Sequence, residues 1–160
     1  MLRSLLLCAL LLPLMGCGDD SPGQGNPDNG DPTKVTYAES LNVDLSTMTL
    51  LPTGLYLQDL GAAGTGAEAT DGARVQVHYT GWLPDGTKFE SSENKAPIGF
   101  NVGRRQVIDG WDQGILGMRV GGKRRLIIPS SLGYGSQGSS SGRIPPYTVL
   151  IFEVELISVR

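Results

Sequence analysis

Few residues in this 160-residue chain could do chemistry, and those few narrow it quickly. Nucleophile–base catalysis needs a hydroxyl or thiol oriented beside a base. The chain has one histidine, His78, and two cysteines, Cys8 and Cys17, with no H-E-x-x-H pair. A metal at His78 would lack a second imidazole, so no metal is expected. The glycines of GYGSQG (133–138) are not followed by Gly-Lys-Ser/Thr, which argues against a phosphate loop. What remains is a set of aromatic and aliphatic side chains at strand ends, a helix start and loops: Tyr79, Phe89, Phe100, Val107, Ile108, Trp111, Tyr134, Ile144 and Phe152. Such residues fill a core or line an apolar pocket. Spacing alone leaves both readings open, and burial of Trp111 and Phe152 is expected in either.

The elements that must position these residues are legible from periodicity. In RRQVIDGWDQGI (104–115) and its continuation, a helix is predicted over roughly 109–118, with Asp109 as N-cap and Asp112 in the first turn. Trp111, Ile115 and Met118 form one stripe. Gly110, Gly114 and Gly117 each cost about 0.5–1 kcal/mol in a helix interior, so packing against a sheet must hold it. A first strand is expected near 54–60. In ARVQVHYTGW (73–82), Val75, Val77 and Tyr79 alternate with polar residues, giving a second. Pro84-Asp85-Gly86 turns the chain into a return strand carrying Phe89. A short extended piece holds Phe100 and Val102. KRRLIIP (123–129) and TVLIFEVELISV (148–159) are further strands; Leu150, Phe152, Val154 and Leu156 share one face of the last. The long Gly/Ser/Pro connection between them, 130–147, is of a length usually tied to function. The sum is an α+β fold, an antiparallel sheet wrapped around one short helix.

Composition sets the class. The net charge of −3 gives no sign of a nucleic-acid partner, and the basic run Lys123-Arg124-Arg125 reads as solvated side chains at a strand start. Residues 1–16 have a charged start and an apolar run from Leu5 to Met15, the layout of an export signal and short for a membrane span. Leu14-Met15-Gly16-Cys17 resembles the lipobox of bacterial lipoproteins. That resemblance implies cleavage before Cys17 and its lipidation, with the protein facing the periplasm or cell exterior. Gly18, rather than Asp, is compatible with the outer membrane of a diderm. Residues 17–45 read as a Gly/Pro/Asp-rich tether, with an apolar lead-in over 35–48, and 46–160 as the folded domain.

VHYTGWLPDGTKFESS (77–92), VIDGW (107–111), GYG (133–135) and RIPPYTVLIFEVEL (143–156) occur in order and resemble the FKBP family of peptidyl-prolyl isomerases, the macrolide-binding immunophilins, with the motif core at 72–160. The resemblance implies a half-barrel of antiparallel sheet around one short helix, with an apolar cleft between them. It makes Trp111 the cleft floor and Tyr79, Phe89 and Phe152 its walls. The Ile108 amide and the Tyr134 hydroxyl become hydrogen-bond donors to the ligand, and Glu90 joins them in the catalytic group. Ile98, Phe100, Gln106, Val107 and Ile144 would complete substrate binding. The implied partners are proline-containing polypeptides, unfolded exported proteins among them, and macrolides. No cofactor is implied, and the membrane is met through the lipid anchor only.

The chain departs from the best-known members at three points. Glu90 stands where aspartate follows the wall phenylalanine, Ile98 replaces a rim phenylalanine, and Arg143 replaces an aliphatic loop residue. Two functions fit the same cleft: isomerisation of X–Pro bonds, or tethered binding of proline segments with little turnover. A purely structural lipoprotein would have no cleft.

Overall fold

The computed structural model describes residues 26–160. The signal, Cys17 and the first part of the tether lie outside the described residues. Seven strands form one antiparallel sheet: β1 (Thr49–Leu50), β2 (Tyr56–Asp59), β3 (Arg74–Trp82), β4 (Lys88–Ser91), β5 (Ile98–Asn101), β6 (Lys123–Ile128) and β7 (Leu150–Val159). The strand order is β1-β2-β6-β7-β3-β4, with β5 also pairing with β3, and the sheet stays open. The centre is β7, between β6 and β3, where Phe152 stands opposite both Leu126 and Gly81. Its alternation puts Leu150, Phe152, Val154 and Leu156 into the main core as the sequence predicts. Among the described residues no helix is long and apolar enough to cross a membrane.

β4 and β5 share one edge of β3, end to end: β4 takes Thr80–Trp82 and β5 takes Arg74–Val77. Where the edge changes hands, Ser92 keeps the ladder satisfied. Its hydroxyl accepts from the Tyr79 amide at 2.8 Å, and its own amide donates to the Tyr79 carbonyl at 2.9 Å. His78 Nδ1 lies 3.0 Å from the same hydroxyl, which accounts for the lone histidine as a half-buried strand residue.

The single α-helix among the described residues, α1 (Asp109–Gly114), is shorter than the 109–118 predicted. Its N-cap is Ile108, with no side-chain cap bond, and the expected cap Asp109 is the first helical residue. The glycines explain the short span. A helix this poor persists only where packing holds it, and two of its glycines are packing devices. A Cβ on Gly110 would come within 2.5 Å of Ile128, and one on Gly114 within 2.7 Å of Leu126. Their absence lets α1 lie directly on β6. The stripe holds beyond the helix end, with Trp111, Ile115 and Met118 all buried. Arg124 secures that end by donating to the Gly114 carbonyl at 3.0 Å while bonding Asp59 at 2.6 Å.

Two readings from sequence change here. Arg124 and Arg125 are not merely solvated: each side chain is only 13 % exposed, and Arg125 bonds Glu153 at 2.5 Å and the Asn42 carbonyl at 2.9 Å. Nor is 26–45 a loose tether. Short 3₁₀ turns at Pro27–Gly30, Glu39–Leu41 and Leu45–Thr47 lead the chain across the outer face of the sheet. There Leu41 is buried in a second cluster with Ile127, Val149 and Ile151, flanked by Val35, Tyr37, Val43, Leu45, Met48, Tyr56 and Trp82. The physical reason is β7 itself: Ile151 makes the start of its outer face apolar too, and that part needs a cover.

Candidate functional site

Between α1 and the inner face of the sheet lies a cleft of about 220 Å³, lined by Tyr79, Glu90, Ile98, Gln106, Val107, Ile108, Trp111, Tyr134 and Phe152. β3 brings Tyr79, β4 Glu90, β5 Ile98, α1 Trp111 and β7 Phe152. The 102–108 loop brings Gln106 to Ile108, and the long loop before β7 brings Tyr134.

The aromatic packing shapes the hollow. The Trp111 ring meets Tyr79 edge-on at 4.9 Å and 78°, and Phe152 at 5.2 Å and 87°. Phe89 meets Phe152 at 5.5 Å and 88°. Edge-to-face contacts are favourable for rings whose faces are negative and edges positive, and they set adjacent walls at right angles. Gly81 makes this possible: a Cβ there would lie 2.6 Å from both Phe152 and Phe89. The Trp111 indole N–H is buried and has no hydrogen-bond partner among the described residues.

The rim carries the polar groups. The Ile108 carbonyl accepts from the Trp111 amide at 2.9 Å, whereas the Ile108 amide meets no acceptor among the described residues. The loop before it is tied down from the helix. Asp112 accepts from the Gly103 amide at 2.9 Å and the Arg105 amide at 2.8 Å, and Gln106 accepts from the Asn101 amide at 2.8 Å. Arg105 takes φ +53°, a left-handed conformation that the Asp112 bond helps to hold. Burial pushes the Tyr79 hydroxyl up to about 12, and the Glu90 carboxylate beside it adds to the shift. Burial and Glu90 raise Tyr134 as well. Both hydroxyls are therefore protonated donors at neutral pH.

Nine of the twelve residues singled out in the domain line this cleft. Three do not. Phe100 is buried behind Trp111, its ring 5.8 Å away, because β5 points it inward opposite Val75. Ile144 is buried in the core and anchors its loop. Phe89 packs behind Phe152 and lines the neighbouring hollow instead. Sequence reading missed the tethering by Asp112, taken only as a charge facing the helix start, and Ser92, whose hydroxyl fixes the Tyr79 backbone. An acid three residues into a weak helix after a Gly-Arg-Arg turn is the signal for the first; nothing local marks the second.

Residues 66–157 match the family described as FKBP-type peptidyl-prolyl cis-trans isomerase. The chain belongs to that family. An FK506-binding protein of Neisseria meningitidis serogroup B is 53% identical over 107 residues, covering 66% of this chain and 96% of the relative. Among solved structures, a peptidyl-prolyl cis-trans isomerase of Pseudomonas syringae pv. tomato superposes with a TM-score of 0.63 at 39% identity, over 70% of this chain and 80% of the other. FkpA from Escherichia coli gives 0.65 at 36% identity, over 76% of this chain and 55% of its own. These structures share the FKBP fold seen here, an open antiparallel sheet with one short helix. The family match starts at residue 66, so the cover over 35–48 lies outside it.

Proposed function

We propose that this FKBP-type protein accelerates rotation of X–Pro bonds in exported polypeptides, and that the cleft floored by Trp111 is where it does so. The observation that carries this reading is the hollow itself: about 220 Å³, walled by orthogonal rings and rimmed by a protonated tyrosine and an amide that meets no acceptor among the described residues.

Amide resonance sets a rotation barrier of about 18–20 kcal/mol. Uncatalysed X–Pro isomerisation takes tens to hundreds of seconds, so turnover in milliseconds needs a gain of about 10⁴, or roughly 5.5 kcal/mol. No covalent step is required. Twisting the bond ends the resonance and makes the group less dipolar, so surroundings poor in water favour the twisted amide over the planar one. That is differential binding of the transition state. Trp111, Tyr79 and Phe152 exclude water around the proline ring. The Ile108 amide and the Tyr134 hydroxyl hold carbonyls of the substrate. Macrolides would occupy the same cleft.

The address belongs to the same proposal: export directed by residues 1–16, lipid on Cys17, and a domain facing the periplasm or exterior. Radiolabelled fatty acid incorporated by the natural chain and absent from Cys17→Ala tests it. For the activity, cis–trans exchange of a proline peptide is measured by NMR with the natural protein and Phe152→Ala. Acceleration that falls at least tenfold in the variant supports the reading. Peptide bound without acceleration would favour a tethered binding module.

A further inference from the structure

A second hollow of about 350 Å³ adjoins the cleft and shares Glu90 with it; Lys88, Glu93, Lys95 and Arg143 also line it. Its cations are unequally engaged. Lys88 lies 3.6 Å from Glu93, and Lys95 donates to the Ser91 carbonyl at 3.0 Å. Arg143 makes no ion pair among the described residues. Its backbone is nevertheless well placed. The Ser139 amide donates to the Ile144 carbonyl at 2.8 Å, the Ile144 amide to the Ser139 hydroxyl at 2.9 Å, and the Gly142 amide to the Ser139 carbonyl at 2.9 Å. Ile144, plugged into the core, fixes the hairpin, and its exposed neighbour Arg143 faces the hollow.

We propose that Arg143 is a specificity residue: it reads an acidic side chain within two residues of the substrate proline. The inference rests on the isomerase reading of the adjoining cleft. A chain whose proline fills that cleft passes Glu90 and meets this hollow. The shared Glu90 disfavours an acid at the junction itself, and Arg143, which has no ion pair among the described residues, favours one beyond it. A guanidinium offers a fork of donors matched to a carboxylate, which a lysine would not.

The test uses the full chain, Arg143→Gln and Arg143→Glu, with proline peptides carrying Glu, Gln or Lys at each flanking position. Both kcat/KM from NMR exchange and Kd from shift titration are read. An exposed ion pair of this kind gives about a threefold preference for Glu over Lys, reduced in about 0.5 M salt. The preference should vanish in Arg143→Gln and invert in Arg143→Glu, while the Gln peptide is handled alike by all three. Equal handling of Glu and Lys peptides, or a preference that survives Arg143→Gln, would overturn the proposal. If no peptide is turned over, the isomerase reading fails, and the Kd ratios still decide the role of Arg143.

Discussion

The two faces of β7 make an instructive pair. Over its first residues each is apolar and covered, Leu150 and Phe152 inside and Ile151 outside, yet only the inner face opens into a cleft with aromatic walls. Outside, Ile151 packs with Ile127, Val149 and Leu41 under a cover of chain that crosses the sheet in short 3₁₀ turns. Aliphatic side chains pack closely there, leaving Ile127, Val149 and Ile151 at most 1 % exposed. Inside, Phe152 meets Trp111, Tyr79 and Phe89 at steep angles, and α1 is pinned to β6 through Gly110 and Gly114. Rigid rings at right angles on elements already fixed in place cannot collapse into the remaining space. The cleft therefore persists where the walls are aromatic and the backbone is locked, whereas the aliphatic cluster outside packs its own side chains tightly.

Substitutions on each face probe that difference. The largest effect is expected for Trp111→Ala, which removes the floor. Burial of a residue this size predicts a loss of about 3–5 kcal/mol in denaturant melts, with kcat/KM on a proline peptide falling at least tenfold. On the outer face, Leu41→Ala should lower stability by about 2 kcal/mol and leave kcat/KM within about twofold. A parallel loss of activity would mean the two faces are coupled and the comparison wrong. Asp112→Asn keeps the size of the side chain but replaces a carboxylate acceptor with an amide at the Gly103 and Arg105 amides. Its expected cost is about 1–2 kcal/mol, with a severalfold rise in KM exceeding any fall in kcat, since the loop carrying Ile108 loses its anchor.

The smallest effect is in alkali. Tyr79 is held up to about 12 in the folded protein, against 10.0 ordinarily. Above pH 10 the unfolded chain releases a proton that the folded chain keeps. Stability should thus be indifferent to this group below about pH 10 and decline as pH rises toward about 12. Urea midpoints across that range should decline less steeply in Tyr79→Phe.

What could be read in advance follows from the range of the forces involved. Strand alternation is local, so β3, β6 and β7 were legible, and so was the Trp111 stripe. The sequence motifs also carried nine lining residues to one cleft. The cover over 35–48 was not legible, because its partners Ile127 and Ile151 lie about a hundred residues away and nothing near Leu41 names them. The extent of α1 was overestimated because the stripe continues through Ile115 and Met118 after helical hydrogen bonding ends. Phe100 and Ile144 were assigned to the cleft by motif, while their burial depends on how β5 and the Ser139–Ile144 hairpin meet the core.

The two tryptophans stand one on each face, Trp111 under the cleft and Trp82 beside the outer cluster, and so report on the faces separately. The most direct measurement follows both indole N–H resonances while a proline peptide is titrated in and its cis–trans exchange is timed. Accelerated exchange with a shift at Trp111 and none at Trp82 is the predicted result. Acceleration with Trp111 unmoved, or with Trp82 responding in its place, would contradict the account.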